Sequence, residues 1–190
     1  HPARGEFLPP VPLPRRMWAG SQIEVFNPIR VGDKVIKKST VGDIKLKEGR
    51  TGLLCFVTAE YDYLVEGNVA LHEKHNIVYR DISKAGGGSG FSNTIPENAD
   101  FVEKIFMHPT ILFRYSAIGF VGHRIHYDQP YSVNEENYHD LIVHGPLQAT
   151  YLLRAAEKLT GKTVKSFMHK VMEPVFANSE YIIGAKQNDD

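Results

Sequence analysis

A single cysteine in 190 residues excludes any internal disulfide. That residue, Cys55, lies in the strand-like run LLCFVTAEY and reads as a small buried hydrophobe, so a reducing compartment is permitted. Charge of one sign is missing as well. The 22 basic residues balance the 22 acidic ones without a long basic run, which argues against nucleic acid as a partner because phosphate neutralisation needs a positive face. No apolar stretch approaches the roughly 20 residues of a membrane span, and no signal-peptide pattern opens the chain. A cytoplasmic or mitochondrial location is expected, not secretion. The first residue is His1 and not methionine, so an upstream segment is also expected. HExxH and cysteine clusters are absent, so no metal site is expected. A G-x-S-x-G elbow is absent too, which weakens a serine hydrolase built on Ser116 or Ser132.

What is present is 42% hydrophobic and 23% charged, the composition of one large or two small globular domains. FLPPVPLPRR (7–16) is too rich in proline for a helix and favours an extended path. It is read as a structural wrapping segment; its PxxP lacks the arginine register of an SH3 ligand. From Met17 to Arg80 come WAGSQIEVF, DKVIKKSTVGDIKLK, TGLLCFVTAEYDYL and NVALHEKHNIVYRD, with turn signals at Val31-Gly32-Asp33, Glu48-Gly49-Arg50 and Glu66-Gly67-Asn68. That pattern predicts a meander of long antiparallel strands. AGGGSG (85–90) reads as a linker and SNTIPENADFVEKIF as a loop or short helix. After the His144-Gly145-Pro146 punctuation, apolar positions at Leu147, Tyr151, Leu152, Ala155 and Leu159 predict a long helix over 146–160. Strand-like VKSFMHKVMEPVF and EYIIGAKQ follow. The expected organisation is a sheet over 1–84, a linker over 85–108 and an α+β unit over 109–190 in which a sheet wraps one helix.

The chemistry concentrates in LFRYSAIGFVGHRIHYDQPYS (112–132), read as a reactive loop. It sets Arg114, Tyr115, His123, Arg124, His126, Tyr127 and Asp128 among apolar positions. A histidine titrating near neutral pH can take a proton from water and return it, as addition of water across an activated double bond requires. His126 is the leading candidate for that role, and a hydrogen-bonded structural histidine is the competing reading. His123 and His126, with His139 and His144 nearby, lack a metal-binding motif. Arg114 and Arg124 are candidates to pair with a phosphate or carboxylate of a ligand, or within the protein. His144 either ends a strand or lies beside the ligand. Gly145 opens a helix whose free N–H groups can meet a developing oxyanion. Lys158, Lys162 and Lys165 read as a solvated helix face.

Tyr115, Ile118, Gly119, Ile125, His126 and Ser132 fall in register with the hydratase signature of the MaoC-like hot-dog proteins. RMWAG (16–20), GRTG (49–52), IVYRD (77–81), LFRYSA (112–117), HRIHYD (123–128) and VHGPL (143–147) resemble the two-hot-dog branch, the type 2 hydroxyacyl-thioester dehydratases and mesaconyl-CoA hydratase-like proteins. The resemblance implies an α+β hot-dog fold, a double hot dog with an incomplete first unit whose helix is missing, and with the usual C-terminal strands of the chain cut short. It implies reversible hydration of a 2-enoyl thioester of coenzyme A or acyl carrier protein. No cofactor is implied beyond that substrate. His126 takes the catalytic position and Gly145 the position whose amide polarises the thioester carbonyl, with Asp128 and Tyr127 as further polar partners and Arg114, Tyr115, His123, Arg124 and His144 as substrate contacts. Where the signature has Asp and the branch usually Asn, this chain has Val121, which neither transfers a proton nor orients water. That departure sustains a second expectation, a catalytically impaired acyl-thioester-binding or structural subunit. A thioesterase on the same fold is a third. Because the family's site lies between two hot-dog units, a homodimer or an intramolecular pair is expected.

Overall fold

Alternating side chains punctuated by Gly turns build the first sheet. The computed structural model describes residues 6–49, 52–81 and 98–188. These fall into two compact units: a sheet unit of 6–49, 52–81 and 164–172, and a helical unit of 98–163 and 173–188.

In the sheet unit, β1 (Arg15–Val25), β2 (Val35–Gly49), β3 (Gly52–Val65), β4 (Asn68–Arg80) and β6 (Ser166–Lys170) form one antiparallel sheet in the order β2-β3-β4-β1-β6. The β3–β4 turn places Glu66 at φ 50° and Gly67 at φ 81°, the two left-handed residues that match the twist of a tight hairpin. Gly20 breaks the β1–β4 register after Trp18 at φ 146°, and a Cβ there would run into the His169 carbonyl of β6. One sheet face buries Cys55, Val57, Ala59, Ile77 and Tyr79. The proline-rich segment lies across it, contributing buried Leu8 and Leu13 with Phe7 and Val11 packed alongside. Proline pre-orders that segment and leucines anchor it, as expected of a wrapping strap.

In the helical unit, β5 (Phe101–Phe106) pairs antiparallel with β7 (Glu180–Ala185), and α3 (Gly145–Thr160) packs on both. Pro146 fits the first turn of α3, where a missing N–H removes no helical bond, and Gly161 ends it at φ 65°. Shorter helices α1 (Pro109–Ile118) and α2 (Gln129–Asn134) flank a 3-10 turn, Arg124–His126. Met107, Leu112, Leu141, Val143, Leu147 and Ala177 form the core. Glu103 of β5 ties down Arg154 at 2.6 Å and Lys158 at 3.1 Å.

The chain departs from the expected organisation in three places. Segment 166–170, assigned by sequence to the second unit, is β6 of the first sheet, held by β1 through Ser21↔His169 and its neighbours. Phe101–Phe106, inside the expected linker, is a strand whose inward Glu103 disguises its alternation. The segment read as a reactive loop begins as helix α1, whose periodicity is masked because apolar Phe113 and Ile118 face outward. The Gly-rich stretch 85–90 lies outside the described residues.

Candidate active site

Three histidines of the helical unit meet. Two come from the turn between α1 and α2, and the third immediately precedes α3. Ile142 forms a bridge with Phe176, and the Val143 and Ala177 N–H groups donate to Val175 and Leu141, so residues 141–143 are held as a short extended segment. Asp140 fixes its start, accepting from the Leu141 N–H at 2.7 Å, Gln129 at 2.9 Å and Asn178 at 3.0 Å. The Ile142 carbonyl then accepts from His126 Nδ1 at 2.7 Å. A carbonyl only accepts, so Nδ1 carries the proton and Nε2 keeps a lone pair.

The His126 ring lies nearly parallel to that of His144, with centroids 3.7 Å apart and planes inclined 17°. His123 presents an edge to His126 at 5.6 Å, and Tyr115 one to His144 at 4.9 Å. His144 is 2% exposed, and its Nε2 lies 2.8 Å from the Ser116 hydroxyl of α1. Burial pushes His126 down to about 4, with His123 adding repulsion. His144 is pushed to about 3 by burial and by both other histidines. Each is therefore a neutral imidazole at ordinary pH, and His126 is a base with one ring nitrogen unengaged by the protein backbone.

Gly145 starts α3 directly beyond His144, and no side chain caps that end. Helix geometry leaves its N–H outside the helical ladder, next to the positive end of the dipole and without a side chain to block approach. His126 and Gly145 are thus brought to the same place.

Other sequence candidates are used differently. Asp128 caps α2 by accepting from the Tyr131 N–H at 3.1 Å and takes both Nε and Nη2 of Arg124, at 2.9 and 2.7 Å. That pairing holds the Asp128 carboxyl below its ordinary range. Arg124 also lies over the Tyr131 ring at 4.2 Å. Tyr127 donates to the Gly122 carbonyl at 3.0 Å, and Ser132 to the Asp140 carbonyl at 2.9 Å. Asp128 and Tyr127 are thus engaged in local structure, Asp128 with Arg124 and the Tyr131 N–H and Tyr127 with the Gly122 carbonyl. Arg114 is exposed on α1. Val121 stands in the turn after α1, its N–H donating to the Ser116 carbonyl at 2.9 Å. Two residues escape sequence inspection. Ser116 is weighed there only as a nucleophile, and Asp140 carries no motif at all.

The sequence pattern of hydroxyacyl-thioester dehydratase type 2 matches residues 1–177. The chain belongs to that family. This type 2 dehydratase-family chain is 36% identical over all 190 residues to the mesaconyl-C(4)-CoA hydratase of Chloroflexus aurantiacus, covering 68% of that protein. It is similar in structure to a MaoC-like dehydratase from Phytophthora capsici (TM-score 0.70, 17% identity, 96% of this chain and 67% of that one). It also matches a Mycobacterium tuberculosis protein described as having a double hot-dog fold (TM-score 0.55, 12% identity, 86% and 60% covered). The fold is that of the hot-dog dehydratases, and the chain spans 60% to 68% of the length of these relatives.

Proposed function

We propose that this dehydratase-family chain is a hydro-lyase that adds water to a 2-enoyl thioester and removes it from the 3-hydroxyacyl product, the carrier being coenzyme A or acyl carrier protein. The observation that carries this reading is His126. Its Nδ1–H is committed to the Ile142 carbonyl, its Nε2 lone pair is left for a proton, and α3 begins beside it. In hydration, Nε2 takes a proton as the water oxygen bonds to C3. The C2–C3 π electrons shift toward the thioester carbonyl, whose oxygen gains charge at the Gly145 N–H, and the proton is then delivered to C2. Preorganised N–H donors contribute most where that charge develops. No cofactor enters this sequence.

Val121 supports a second reading, an acyl-thioester-binding subunit with little or no turnover. Hydration of crotonyl-CoA and mesaconyl-CoA by the protein and by His126→Ala separates the two. Turnover that vanishes with the histidine supports the hydro-lyase. Thioester binding without turnover supports the binding subunit, and release of free thiol would indicate a thioesterase. We infer self-association as a homodimer where two hot-dog units are not supplied by one chain, which light scattering of the purified protein measures.

A further inference from the structure

A buried Ser–His hydrogen bond normally raises the question of a nucleophile. Here that answer fails on geometry. A Ser–His pair that transfers protons needs a third group to orient the far ring nitrogen, and His144 Nδ1 is buried without a hydrogen-bond partner. Ser116 is 6% exposed, too enclosed for a thioester carbonyl to reach its oxygen. Nor does His144 suit direct contact with substrate, because Nδ1 and the ring as a whole are shut away from solvent. What the pair does have is a rigid relation to His126, through parallel rings 3.7 Å apart.

We infer that Ser116 and His144 are a positioning pair for His126: the Ser116 hydroxyl tethers the His144 imidazole as a flat face, and stacking on that face, with the Ile142 carbonyl on Nδ1, fixes His126 so that Nε2 alone is presented for proton transfer. This rests on the hydro-lyase reading for its catalytic consequence, though not for its structural part. The tether has a preferred tautomer. His144 stands at the N-terminal end of α3, where partial positive charge makes a bare N–H more unfavourable than a bare lone pair. Nε2–H therefore donates to Ser116, and the buried, unpartnered Nδ1 keeps its lone pair. The same end charge opposes an imidazolium at His144, so the face stays neutral when His126 takes up its proton. The titratable rings packed around His126 are His123 on its own turn, His144 ahead of α3, and Tyr115 of α1 against the His144 ring, while Arg124 and Asp128 of the same turn are paired with each other. The rings supply no negative charge at ordinary pH and burial is what holds His126 low, so a displaced His126 gains solvent and titrates higher. Among mechanisms of lost rate, misplacement of a base by about 1 Å costs on the order of 100-fold.

The test compares Ser116→Ala, Ser116→Thr, His144→Ala and His144→Phe, each checked for fold by circular dichroism. Two readouts are taken: kcat and KM for crotonyl-CoA, and the titration of His126 followed by nitrogen NMR of the labelled imidazoles. Ser116→Ala and His144→Ala are expected to lower kcat at least tenfold with KM held within about twofold, and to move the His126 midpoint up from about 4 toward 6.5. Ser116→Thr, which keeps the hydroxyl, should restore both. His144→Phe, which keeps a flat ring but loses the tether, should raise the His126 midpoint as Ser116→Ala does though less than His144→Ala, and it carries the test if Ser116→Ala does not fold. A rise in KM at constant kcat would make His144 a substrate contact and overturn the inference. So would an unchanged His126 midpoint in folded His144→Ala. If the unaltered protein hydrates nothing, the hydro-lyase reading fails by itself, while the NMR titration still decides the positioning pair.

Discussion

His126 combines burial, a committed Nδ1–H and a depressed pKa, and each property has a separate consequence. On the proposed acid–base role, its replacement by alanine should lower kcat by about 10²–10⁴-fold in hydration assays while the thermal melt stays close to that of the parent, since deleting one positioned proton carrier costs that much. A base held near 4 stays competent into mild acid. The acid limb of kcat/KM should therefore break near 4 and not near 6.5, the value of an unperturbed histidine, and a break near 6.5 in a full pH–rate profile would place the base elsewhere. Asp128 has the opposite expectation. Because its carboxylate caps α2 and pairs with Arg124, Asp128→Ala should lower the urea midpoint modestly and leave kcat within a few-fold. Val121 is the remaining residue-scale question. Val121→Asn supplies the water-orienting amide the family pattern has, and turnover should rise if the site is impaired for want of it.

At the scale of elements, the molecule divides into what local pattern specifies and what only distant partners specify. The strands β1 to β4 were legible because Gly turns and alternating apolar positions are local signals, and α3 because its apolar stripe, Pro146 and Gly161 are too. The strap was legible as well, over 7–14 of the segment 7–16, whose last two residues open β1, and it can be tested. Leu13 is 9% exposed against Cys55, Val57 and Ile77, so Leu13→Ala should cost about 2–4 kcal/mol in urea unfolding, the range for an enclosed leucine, whereas a strap that merely rests on the sheet would lose under 1 kcal/mol. The partner of β6 was illegible, since nothing in SFMHK announces pairing with β1. β5 was obscured by Glu103, which faces inward for Arg154 and Lys158. In the candidate site, the start of α3 at Gly145 was readable from local punctuation, and His126 was singled out by residue type alone. Ser116 and Asp140 were not, because their roles consist of hydrogen bonds to residues far along the chain.

For the whole molecule, the buried histidines link the active-site arrangement to acid stability. His126 and His144 sit near 4 and 3 in the folded protein, against 6.5 for a free imidazole. Above 6.5 both are neutral folded or unfolded, and neither changes stability with pH. As pH falls below 6.5, the unfolded chain takes up protons that the folded chain refuses, so unfolding gains free energy until the folded values are reached. Each such histidine contributes a slope of up to about 1.4 kcal/mol per pH unit. The two rings repel each other's charge through the stack, so their contributions are not independent. Asp140, where burial is outweighed by hydrogen bonds from Asn178, the Leu141 N–H and Gln129 that hold its carboxyl low, adds a contribution lost as pH falls from the ordinary carboxylate range toward its lowered folded value. The loss between 6.5 and about 4 therefore belongs mainly to the histidines. All three described helices lie in their unit, so helix ellipticity reports it directly. The urea midpoint at 222 nm should fall steadily on acidification through that window, and His144→Phe, which removes one titrating ring while keeping the stacked face, should flatten the fall. A midpoint indifferent to pH across the window would mean that the histidines accept protons without unfolding, and hence that His126 is more open to water than the packing of His144 and the hold of Ile142 allow.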